Sequence, residues 1–106
     1  MTDRELLELA AKAAGIAGWR QCGPDNEPYL AMFYDYHDEY FNPLFDDGDA
    51  LRLAVKLDLT VNCSNWCARS SSSLQWHDGG RDDPFAATRR AIVRAAAEIG
   101  RQMEAA

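Results

Sequence analysis

The sequence predicts an α+β fold in the order α-β-β-α-β-β-α: an antiparallel sheet of about four strands with helices packed on it, layered as an α/β/α sandwich. Three observations carry that prediction. Helical apolar periodicity occurs near both ends of the chain and once in its middle. Between these segments lie two pairs of alternating or aromatic-rich runs, each pair joined by a short connection of the kind that makes a hairpin. A length of 106 residues suits one domain, 1–106, with a core that needs no disulfides.

The first helix opens on a capping box, Thr2 with Glu5 three residues on. Leu6, Leu7, Leu9, Ala10, Ala13 and Ala14 form its apolar face, with Arg4, Glu5, Glu8 and Lys12 opposite. Glu8 precedes Lys12 in the favoured i,i+4 order, and Gly15 ends the helix. Residues 16–22 and 29–36 read as strands on either side of Gly23-Pro24-Asp25-Asn26-Glu27-Pro28, which breaks both helix and ladder. In the second run Leu30, Met32, Tyr34 and Tyr36 alternate with Ala31, Phe33, Asp35 and His37, so it is expected to be covered on both faces. Residues 37–45, with Tyr40, Phe41 and Phe45, read as an aromatic loop.

A middle helix follows, with Asp46 or Asp47 as N-cap and the aspartates placed to complement its dipole. Ala50, Leu51, Leu53, Ala54, Val55 and Leu57 span an arc of roughly 200° at 100° per residue. Only Asp49, Arg52 and Lys56 mark a polar strip, which predicts a helix enclosed on most sides with the other elements around it. Leu59, Val61 and Cys63 then alternate with Thr60, Asn62 and Ser64 as a strand. A partner strand is expected near 71–77, where Leu74 and Trp76 alternate with Ser73, Gln75 and His77; Asn65, Ser70 and Ser71 are all turn candidates. The last helix, over 84–103, has Asp83 as N-cap and Pro84 at its first position. It places Phe85, Thr88, Ile92, Ala95, Ala96, Ile99 and Met103 on one face, and Arg90, Arg94 and Arg101 on the other.

Composition narrows the functional classes. No apolar run approaches the roughly 20 residues of a membrane span, and Met1-Thr2-Asp3-Arg4-Glu5 does not resemble a secretory leader. A cytoplasmic protein is expected. Three cysteines, an odd number, fit reduced thiols. A net charge of −6 opposes general binding to phosphate backbones, so nucleic acid is a disfavoured partner. Charge is nevertheless uneven: residues 25–58 hold nine acids against Arg52 and Lys56, and residues 81–101 hold five arginines against three acids. That asymmetry points to intramolecular or subunit-to-subunit attraction.

Two blocks resemble a known family. Asn42-Pro43-Leu44 with Asp46-Asp47-Gly48-Asp49-Ala50-Leu51-Arg52-Leu53-Ala54-Val55-Lys56-Leu57 is the first. Asp83-Pro84 with Ala87-Thr88-Arg89-Arg90-Ala91-Ile92-Val93-Arg94-Ala95-Ala96-Ala97-Glu98 is the second. Together with Leu6-Leu7-Glu8-Leu9-Ala10 through Gly15, they resemble the phage ABA sandwich domain family. Phe41 and Phe45 depart from its pattern, where a tryptophan and a small polar residue are expected, and the cysteine-bearing 62–68 segment lies outside it. The resemblance implies α-β-α layering and a phage or prophage origin. It implies no activity.

Candidate chemistry is sparse. Asp46, Asp47 and Asp49 supply the oxygens a hard cation takes, and with His37 they would suit a metal-dependent hydrolase. Their spacing is not that of an EF-hand, no bidentate glutamate follows, and helix capping with dipole neutralisation explains them better. Cys22, Cys63, Cys67 and His77 contain the donors of a zinc site, but Cys63 and Cys67 on one extended strand would stand about 13 Å apart. Either histidine beside a cysteine lacks the elbow that presents a nucleophile. His37-Asp38-Glu39 are neighbours that point apart, and Asp82 and Asp83 spoil Gly79-Gly80 as a phosphate loop. No metal and no cofactor are therefore expected.

Arg90, Arg94 and Arg101 are the candidate partner-binding residues, against the simpler reading of a solvated face in which Arg94 pairs with Glu98. Trp66, Trp76, Tyr36, Tyr40 and Phe41 would fill a core or build an interface. The expectation is a small non-enzymatic phage-type accessory protein that binds another protein or itself. The alternatives are nucleic-acid binding through the last helix and a hydrolase built on the three aspartates.

Overall fold

The computed structural model describes residues 2–16, 18–34, 37–71, 73–76 and 82–105, with the side chains of 32–34, 37–39 and 76 excepted. Along these residues run α1 (Asp3–Ala13), β1 (Trp19–Cys22), β2 (Tyr29–Tyr34), β3 (His37–Phe41), α2 (Asp47–Lys56), β4 (Thr60–Asn62), β5 (Cys67–Arg69), β6 (Leu74–Trp76) and α3 (Pro84–Ala105). The class is α+β, with antiparallel strands and helices packed on them. No helix among the described residues is long and apolar enough to cross a membrane.

Both ends of α1 follow from local chemistry. Thr2 and Glu5 complete the reciprocal capping box. At the other end of α1, Gly15 takes φ 73°, which lets its amide reach Lys12 O and the Ile16 amide reach Ala11 O, a Schellman closure. Arg4 then binds the helix to the first hairpin: Nη2 donates to Gly23 O at 2.6 Å and Nε to Asp25 at 3.2 Å. Gln21 Nε2 donates back to Arg4 O at 3.0 Å.

Among the described residues the strands number six, in two three-stranded sheets, where the sequence predicts about four in one. Sheet order is β1-β2-β3 and β4-β5-β6, every pairing antiparallel. The expected aromatic loop holds β3, whose residues lack period-2 hydrophobicity because their order comes from pairing with β2 (Leu30 with Phe41, Ala31 with Tyr40). In the second sheet, β5 is three residues long and shows no periodicity. It is bounded by a turn over 63–66 and, on its other side, by a hydrogen bond from the Ser70 amide to Ser73 O at 3.0 Å. Trp66 takes φ 52° in the first of these, a conformation that turn chemistry assigns to Gly or Asn.

The organising element is α3, not α2. Ala87, Ala91, Ile92, Val93, Ala95, Ala96, Ala97 and Gly100 are buried, an arc of roughly 280° at 100° per residue. Small residues over so wide an arc let α1, α2 and the β4-β5-β6 sheet all approach this helix. The predicted apolar face is therefore only partly buried. Ile92, Ala95 and Ala96 hold their places, while Phe85 and Met103 are exposed.

The middle helix corrects the largest expectation. In α2 only Ala50, Leu53 and Ala54 are buried, a single narrow stripe. Leu51 is 63% and Val55 71% exposed. An apolar arc marks the surface a helix is able to bury; α2 meets α3 closely and leaves its flank uncovered.

The end of α2 yields a stability prediction. Asp58 at φ 54° closes a Schellman motif: its amide bonds Val55 O at 3.2 Å, and the Leu59 amide bonds Ala54 O at 2.9 Å. Glycine enters this region without a Cβ penalty. Asp58→Gly is expected to stabilise the fold by about 0.5–1 kcal/mol, measured as a shift of the urea midpoint with an unchanged m-value.

Candidate functional site

The aspartate cluster at the start of α2 is occupied with the backbone and with arginines. Asp46 Oδ2 accepts from the Asp49 amide at 2.8 Å as the N-cap. Asp49 Oδ2 accepts from the Asn42 amide at 2.9 Å, and its Oδ1 from Arg52 Nη2 at 2.7 Å. Asp47 Oδ1 accepts from Arg89 Nη1 at 2.6 Å, while Arg89 Nε donates to Leu44 O at 3.0 Å. Through Arg89, α3 ties down both the loop before α2 and its first residue. Among the described residues no group of three or more His, Cys, Asp or Glu side chains is placed to hold a metal ion.

Cys22 lies in the first sheet, and Cys63 and Cys67 flank the β4–β5 turn in the second; all three are free thiols. Turn residues 64–66, not extended strand, separate Cys63 from Cys67, because β4 and β5 pair Asn62 with Cys67. His77 and the side chains of His37, Asp38 and Glu39, the remaining members of the zinc and acid–base candidates, lie outside the described residues. So do Tyr36 and the Trp76 side chain. Of the other aromatics, Phe41 is core, Trp66 is half-buried, and Tyr40 stands exposed in edge-to-face contact with Tyr29 at 5.3 Å between ring centroids.

The candidate arginines share one strip of α3, yet each has work within the chain. Arg90 forks onto Asp3, Nη1 to Oδ1 at 2.9 Å and Nη2 to Oδ2 at 3.3 Å, and so fastens α3 to the first residue of α1. Arg101 pairs with Glu98, the acid that the sequence assigned to Arg94. Arg94 is half-buried and also engaged. The hydrogen bond from Arg101 holds the Glu98 carboxyl below its ordinary range. A carboxyl pKa lowered on folding adds stability at neutral pH that is lost as pH falls through the lowered value. Because the pair is at the surface, the effect on stability is small. Arg101→Ala is expected to raise the Glu98 titration midpoint, read by NMR of its side-chain carbons.

A different surface is open. Between α2, α3 and β4 lies a groove of about 510 Å³, walled by Leu51, Val61, Cys63, Phe85, Thr88 and Ile92, with the Asp47–Arg89 ion pair at its margin. Its origin is in the layering. Helix α3 packs chiefly over β5 and β6, so the inner face of β4, where Val61 alternates with exposed Thr60 and Asn62, is only half covered. Leu51 on one side and Phe85, 67% exposed, on the other leave an apolar trough facing water. The sequence contained every one of these residues, but reading them as core hid the groove.

No family model matches the chain, and no curated protein or solved structure does either.

Proposed function

We propose that this chain is a small, non-enzymatic accessory protein that works by contact with another protein, and that the groove between α2, α3 and β4 is the contact surface. The observation that carries the reading is two large apolar side chains left in water at the rim of a formed trough, Leu51 and Phe85, over a floor of half-buried Val61 and buried Ile92. Contiguous exposed apolar surface raises the free energy of the isolated chain and is relieved when a partner covers it. The three aspartates favour the same reading, since each carboxylate caps a helix or neutralises an arginine. A phage-type origin rests on the sequence blocks in α1 and around α2 and α3 alone.

Affinity capture from bacterial lysate, with and without phage infection, tests the proposal when three baits are compared. The wild type is expected to retain a partner that the Leu51→Ser/Phe85→Ser variant loses, with equal far-UV circular dichroism for both. Loss instead in Arg94→Ala/Arg101→Ala would move the contact to the arginine strip. Turnover of any substrate that a single polar substitution abolishes would defeat the non-enzymatic reading.

A further inference from the structure

We infer that the groove seats one amphipathic helix of a partner protein, apolar on the face that enters the trough and basic at the end that meets the N-termini of α2 and α3. The inference rests on the groove being the contact surface and adds the occupant's form and charge.

The form follows from the layers. A helix packs on a sheet by laying its apolar stripe across the inward-facing side chains, as α3 does over β5 and β6. Beside α3, over Val61 and Cys63, that position is vacant, and the exposed side of Leu51 forms its far wall. A helix inserted there would touch the trough through residues spaced i, i+3, i+4 and i+7. An added strand is the weaker fit. The groove opens over the face of β4, and β4 offers only Thr60–Asn62 to pair with.

The charge follows from what rims one end. Asp47 and Pro84 both line the groove, so the caps of α2 and α3 converge there. Asp46, Asp47 and Asp49 come from the first cap and Asp82 and Asp83 from the second. Among the described residues, Arg52 and Arg89 are the guanidiniums bonded to this set. Arg52 and Arg89 offset part of this set, and the exposed carboxylates of Asp46 and Asp47 leave the rim negative. The partial positive ends of the two helix dipoles reduce that charge without reversing it. Asp46 and Asp47 are more than half exposed, so their field reaches into solvent. A basic partner gains in encounter rate and orientation from such a rim; an acidic one is repelled.

Selection from a displayed library of random 20-residue peptides, against immobilised full-length protein, tests this. Enriched peptides are expected to carry large apolar residues at helical spacing with Lys or Arg toward one end. A synthetic enriched peptide should bind at least about tenfold more weakly to Asp47→Asn/Asp82→Asn, and the difference should shrink at high salt. Groove-dependent peptides that are neutral or acidic, or extended by circular dichroism when bound, would overturn the helix-and-charge inference and leave the contact surface standing. Enrichment equal on wild type and Leu51→Ser/Phe85→Ser would overturn both. Light scattering over rising concentration covers the remaining occupant: a dimer abolished by Leu51→Ser/Phe85→Ser would assign the groove to a second copy and overturn the partner helix.

Discussion

Gly100→Ala is expected to lower stability by about 3 kcal/mol, or roughly 15 °C in melting temperature for a chain this size. Two effects of opposite sign compete at this position. In an ordinary helix interior alanine is favoured over glycine by about 0.8–1.0 kcal/mol. Here the added Cβ would stand 2.0 Å from the Leu9 carbonyl oxygen and 2.8 Å from its carbonyl carbon. Those atoms belong to the backbone of α1, so no rotamer change relieves the clash, and the two helices must separate along the seam that buries Leu6, Leu7, Ala10 and Ala11. Steric cost therefore exceeds propensity. Gly15→Ala provides the contrast: that glycine has φ 73° with nothing within 4 Å of the added Cβ, so only the backbone conformation is penalised, by about 1 kcal/mol. Thermal or urea unfolding of the two variants separates the cases. A Gly100→Ala protein as stable as wild type would mean that α1 and α3 do not approach this closely.

What was legible in the chain divides along physical lines. Capping is local chemistry, and Thr2, Glu5, Gly15, Asp46 and Asp83 mark the ends of helices as their side chains and dihedrals require. Helix periodicity is also local and placed all three helices. Which part of an apolar arc ends up covered is not local. Leu51 and Phe85 lie on apolar faces as convincing as those of Leu53 and Ile92, and only the packing geometry of α2, α3 and β4 distinguishes them. Strands β3 and β5 were illegible for a related reason, since their pairing with β2 and with β4 and β6 does the ordering that their own residues do not signal. Arg89, which joins α3 to Leu44 and Asp47, is adjacent to Arg90 in the chain, and nothing local marks its role because its partners lie more than forty positions upstream. The candidate site is a gap between elements, and no sequence pattern encodes a gap.

Leu30→Ala is expected to cost about 3–4 kcal/mol, the range for removing a fully buried leucine that leaves a cavity. Leu30 is 0% exposed and sits on β2 between Gln21 of β1 and Phe41 of β3. It matters beyond its own volume because, among the described side chains, Leu30 and Phe41 are the members of the β1-β2-β3 sheet in the buried cluster, with Trp19 packed at the edge. The polar fastening of that sheet runs through Arg4 and Gln21, whose bonds to Gly23, Asp25 and Glu8 lie at or near the surface. Such bonds contribute roughly 0.5–1.5 kcal/mol each, too little to replace the lost packing. The loss is therefore expected to be uneven. Hydrogen exchange should show β1, β2 and β3 amides opening at lower free energy than those of α3, as a sub-global unit released from a helix pair still held by the Gly100–Leu9 contact. Uniform loss of protection across both sheets and α3 would show instead that the chain unfolds as one cooperative body.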